Sequence, residues 1–96
     1  MPRIKIVSTP EGPGVPEEIR KGWIGVEFEA LGPFSRQVES VLNLHEHHGI
    51  RGVYEVSLKV ALQALKEKNY KSWEWFSKQR VLAPFFCFEA KNCKEI

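Results

Sequence analysis

The densest knot of chemically versatile side chains in this chain is "LNLHEHHGIRG", residues 42–52, where His45, Glu46, His47 and His48 are consecutive. Neutral imidazole is the commonest transition-metal ligand, and a carboxylate can complete or orient a ligand set. If the segment is extended, His45 and His47 share a face, about 6.5–7 Å apart by strand rise. If it is helical, His45 and His48 lie one turn apart, and either pair could chelate a divalent metal. Structural zinc takes four ligands and catalytic zinc three plus water. Cys87 and Cys93 are available as further ligands, but five intervening residues is not a standard zinc spacing. The simpler expectation is a hydrated turn between strands whose imidazoles titrate near neutrality. No cofactor is therefore predicted, and a divalent metal held by His45, His47 and His48 is the alternative.

A second constellation is "KEKNYKSWEWFSKQR", residues 66–80. Its basic side chains could follow a phosphate backbone while an aromatic ring stacks on a base. Glu67 and Glu74 dilute that charge, and Trp73 and Phe76 are spaced to face a core. Trp75 is then turned partly outward beside Lys71, Lys78 and Arg80. Tryptophan next to arginine is the kind of anchor that protein interfaces use. These four residues are read as an interaction surface for a protein partner or a second copy of the chain, with nucleic acid as the competing partner.

Three further features carry less chemistry. Glu27 and Glu29 share the outward face of one strand and resemble a carboxylate pair for acid–base work, but such pairs usually line the wet side of a sheet. Cys87 lies between Phe86 and Phe88 and is expected to be packed and unreactive, since a reactive thiol needs a nearby cation or a helix N-terminus. "PEGPGVPE" keeps its glycines among prolines, outside any phosphate-loop pattern. No catalytic set assembles, so the leading functional expectation is a non-enzymatic module that binds another protein or itself, with a metal-binding protein or hydrolase as the runner-up.

The elements that must hold these residues follow from periodicity. "RIKIVS" alternates, with Ile4 and Ile6 on one side. "PEEIRKG" carries a short-helix pattern: Pro16 at the start, acidic residues at the positive end of the dipole, and Gly22 as a left-handed stop. "WIGVEFEA" places Ile24, Val26 and Phe28 on one face of a strand. Residues 36–48 fit either a helix or a strand. The hairpin reading, with "RGVYEVS" as the partner strand and Tyr54 and Val56 inward, is favoured. "SLKVALQALKEKN" repeats Leu58, Ala61, Leu62 and Leu65 at helical spacing behind a Ser57 cap. A shorter helix capped by Ser72 follows, and "FFCFEA" reads as a closing strand with Phe86 and Phe88 on one face.

"VPEEIRKGWIGVEF", with a "GVYEVS" strand and "ALQAL" after it, resembles small uncharacterised bacterial proteins that carry a P-E-E-I-R-x-x-W-I-G stretch. The resemblance implies a short turn feeding a barrel-like strand and brings no activity with it. The whole chain, residues 1–96, is expected to be a single domain, large enough to bury roughly 60–68% of its unfolded surface. Its expected class is α+β: a small curved antiparallel sheet or open barrel of four to five strands, with a helical pair inserted before the last strand. A net charge of +2 is too mild to dictate a nucleic-acid partner. No apolar run nears the ~20 residues that cross a bilayer, and no signal-peptide stretch opens the sequence, so the expected setting is cytoplasmic with no membrane partner.

Overall fold

A computed structural model of the 96-residue chain describes residues 1–12, 14–38, 49–79 and 84–96. Strand β1 (Arg3–Ile6) is followed by helix α1 (Glu17–Lys21) and the short strand β2 (Glu27–Glu29). Next come β3 (Leu31–Val38), β4 (Gly49–Ser57), α2 (Leu58–Lys68) and α3 (Tyr70–Ser77). The chain closes with β5 (Phe85–Glu89), a 3-10 turn over Ala90–Asn92, and β6 (Cys93–Glu95). The α+β class expected from the sequence is therefore present, with the helical pair set between β4 and β5. Among the described residues the strands form two antiparallel three-stranded sheets, β2-β1-β6 and β3-β4-β5, and no barrel closes.

The first sheet follows its alternation. Ile4 and Ile6 are fully buried while Arg3 and Lys5 face out, and Phe28 lies opposite Ile4 on the buried side. Ala30 alone separates β2 of one sheet from β3 of the other. β3 and β4 pair from Val38↔Gly49 to Leu31↔Glu55, which is the expected hairpin. Residues 39–48, and the histidines with them, lie outside the described residues.

Both sheets and the helices close on Trp23. Its ring makes edge or tilted contacts with Phe28, Phe76, Phe86 and Phe88 at centroid separations of 5.1–6.3 Å. Tyr54 and Val56 of β4 are buried against the same cluster. The Tyr54 hydroxyl donates to Glu95 Oε1 at 2.9 Å, tying the second sheet to the edge strand of the first.

Several local expectations are corrected. Ile24 is exposed rather than inward, because residues 22–25 form a turn and the buried Trp23 takes the core position. Gly22 is right-handed, with φ −61°, and the left-handed residue is Gly25 at φ 89°. Only glycine adopts that conformation without strain. The Ser57 side chain makes no cap; the Leu58 N–H donates instead to Pro84 O at 3.0 Å. Asn69, not Ser72, caps α3, its Oδ1 accepting from Ser72 N at 3.1 Å. Ser72 is buried and its hydroxyl donates to Ile19 O.

Candidate functional site

Of the residues singled out in the sequence, His45, His47, His48 and Arg80 lie outside the described residues. Among the described residues no group of three or more His, Cys, Asp or Glu side chains is placed to hold a metal ion. The expectation that Cys87 is packed is corrected. Cys87 is exposed, because β5 turns Phe85 and Cys87 outward and Phe88 inward. Cys93 is half-buried, its Sγ donating to Glu89 O at 3.4 Å, and burial pushes its thiol up to about 11.

On α3, Trp75 is half-buried and sets its ring edge-on to Phe76 at 5.1 Å. Lys71 bonds Glu18 of α1 at 2.8 Å, and Lys78 pairs with Glu74 at 3.0 Å. The Lys71 ammonium holds the Glu18 carboxyl below the usual carboxylate range, first through the hydrogen bond and then through its charge. Lys66 lies over the Trp73 ring, 4.6 Å from its centroid. The cations of this segment are thus partly committed to neighbouring carboxylates and rings. Such exposed pairs exchange easily with solvent or a ligand.

A distinct concavity lies elsewhere. A groove of about 560 Å³ opens between β2 and α2, where β4 diverges from the strand it has been following. Backbone bonds explain why it is there. Ile6 N donates to Val26 O and Ala30 N to Pro2 O, both at 3.0 Å, so the even-numbered residues of β2 turn their polar groups to β1. By the two-residue period of a strand, Glu27 and Glu29 turn theirs the other way. On that side Leu31 is paired with Glu55, but one step further β4 ends at Ser57 and the chain turns into α2. Among the described residues β2 thus ends its sheet on that side, and that edge faces the groove.

The groove's surface is apolar at its base and charged at its rim. Phe28, Ala30 and Ala64 line it with the exposed side chains of Met1, Leu31, Val60 and Phe85. Among the described residues four carboxylates (Glu27, Glu29, Glu55 and Glu67) stand around it, with the side chains of Arg3 and Lys59 and the Met1 amino group as cations. Its local charge is therefore opposite to the +2 of the whole chain.

Glu27 and Glu29 are outward, as the alternation predicts, and lie opposite Lys5 and Arg3 of β1. Their relation to an open edge has no signature in the sequence. One readable trace of the groove is Val60 with Ala64, an apolar pair one turn apart on α2 that lies off the buried Ala61–Leu65 stripe. Comparison of the chain with protein-family models, with curated proteins and with solved structures gives no match.

Proposed function

We propose that this chain is a small non-enzymatic protein-binding module that accepts an extended segment of a partner chain in the groove between β2 and α2. The observation that carries the reading is that, among the described residues, β2 ends its sheet on the side that opens onto an apolar concavity. An edge strand offers N–H and C=O groups in a row, and a segment laid beside it gains main-chain hydrogen bonds. The groove's volume falls within the range of sites that enclose small ligands or a few side chains. Val60, Leu31 and Phe85 would be covered by such a segment, which removes exposed apolar area from water.

The binding would need no metal or cofactor, since its contacts are backbone hydrogen bonds and apolar burial. A reducing, cytoplasmic setting is part of the proposal and accords with the exposed free thiol of Cys87.

The test is selection of a displayed library of random extended peptides on the wild-type chain and on Val60→Asp. Val60 is 45% exposed, so the substitution alters the groove without opening the core. Enrichment of a peptide class on the wild type, lost on the variant, is the expected result. No enrichment over the unselected library on either protein would sink the reading.

A further inference from the structure

We infer that the segment taken up beside β2 is one that alternates basic and apolar residues, an inference that rests on the binding mode proposed above. β2 already has one neighbour, and that neighbour shows what the strand selects. β1 reads Arg3-Ile4-Lys5-Ile6, with Arg3 opposite Glu29, Ile4 opposite Phe28 and Lys5 opposite Glu27. Its basic side chains share the solvent face with the two glutamates, and its isoleucines share the buried face with Phe28.

Glu27 and Glu29 stand in the middle of that solvent face, between β1 and the open edge. A strand added on the open side sets alternate side chains beside the same two carboxylates, at cross-strand distance. Opposite charge there is favourable, and like charge is repelled. The Arg3 and Lys5 side chains already lie on the far side, so a basic newcomer completes rows of alternating sign across three strands.

The intervening side chains of the added strand point to the other face, towards α2. There they meet Val60 and Ala64 of the helix. These are apolar partners, so that half of the pattern is apolar. Glu67 at the outer rim of α2 adds a further negative charge for a cation at the segment's end. The incoming segment therefore repeats the pattern of β1 on the opposite side of β2.

The test is fluorescence anisotropy of labelled seven-residue peptides with the full 96-residue chain. One peptide alternates valine with lysine, a second valine with glutamate, and a third valine with serine. A fourth is the lysine peptide N-methylated at alternate backbone nitrogens. The lysine peptide is expected to bind about tenfold more tightly than the serine peptide, and the glutamate peptide more weakly than either. Glu27→Gln/Glu29→Gln should remove the lysine preference and leave serine-peptide binding in place, while N-methylation on the edge-facing side should abolish binding. If the three unmethylated peptides bind alike, the charge pattern is wrong although the groove still takes extended chains. If none binds, or N-methylation has no effect, strand addition at β2 is itself wrong.

Discussion

Ser72 occupies the space that a side chain at Gly22 would need. A Cβ on Gly22 would come within 2.7 Å of the Ser72 Cβ and overlap its hydroxyl, which donates to Ile19 O at 2.9 Å. The end of α1 and the first turn of α3 are thereby held at backbone distance, with Trp23 entering the core immediately after. Gly22 is there for closeness, since its φ of −61° is open to any residue. Gly22→Ala should cost about 1–3 kcal/mol through overpacking. Ser72→Gly in the same chain should recover part of that loss, so that the double variant is less destabilised than the two single effects added together. Urea denaturation of the four proteins measures the coupling.

Trp23 is the ring on which the two sheets and the helical pair meet. It is 2% exposed, and its four aromatic neighbours come from β2, α3 and β5. Replacing it by alanine removes both buried area and those edge contacts, and should cost about 3–5 kcal/mol. Trp75→Ala is the natural comparison. Trp75 is half-buried against one face of Phe76, and its removal should cost distinctly less. Equal losses of thermal stability in the two variants would contradict the central place given to Trp23.

What could be read from the sequence divides along a physical line. The alternation of β1, the Ala61–Leu65 stripe of α2 and the inward pair Tyr54–Val56 were legible, because burial of one face imposes a period on a single element. Residues whose role depends on another element were not. Ser72 looks like a helix cap until Ile19 O is seen beside it, and the cap itself comes from Asn69. Cys87 between two phenylalanines looks buried, yet the strand turns it to the outer face. Beyond the Val60–Ala64 pair, the groove was illegible for the same reason. It is a gap left where β4 departs from the line of β3 and β2, and no local pattern of charge or hydrophobicity records the divergence of two strands.

The two thiols should separate in a labelling experiment. Cys87 is exposed, whereas Cys93 is half-buried and its thiol is raised to about 11, so little thiolate forms near neutrality. Iodoacetamide at pH 8 should therefore modify Cys87 at least tenfold faster than Cys93 in the folded chain. In denaturant the two rates should converge. Peptide mapping by mass spectrometry at successive times gives both rates at once, and equal rates in the folded protein would refute the placement of Cys93.

Burial of Cys93 also fixes the sign of a pH effect. An acid whose folded value is raised keeps its proton in the native state after the unfolded chain has lost it. Between the ordinary thiol value near 9 and the folded value near 11, the unfolded state binds fewer protons, so stability falls as pH rises. Below that window the thiol contributes no pH dependence. Tyr54 acts in the same direction above its ordinary value of 10, because burial, and then its bond to Glu95, disfavour the phenolate. Lys91, raised by its hydrogen bonds to Glu11 and then Glu89, contributes stability that is lost as pH climbs through its folded value. All three therefore weaken the fold on the alkaline side. The Cys93 share can be isolated by comparing urea midpoints at pH 8 and pH 10 for the wild type and Cys93→Ala. The variant should start less stable, having lost a packed side chain, but should lose less between the two pH values. An identical fall in both proteins would show that the Cys93 thiol titrates as freely in the fold as out of it.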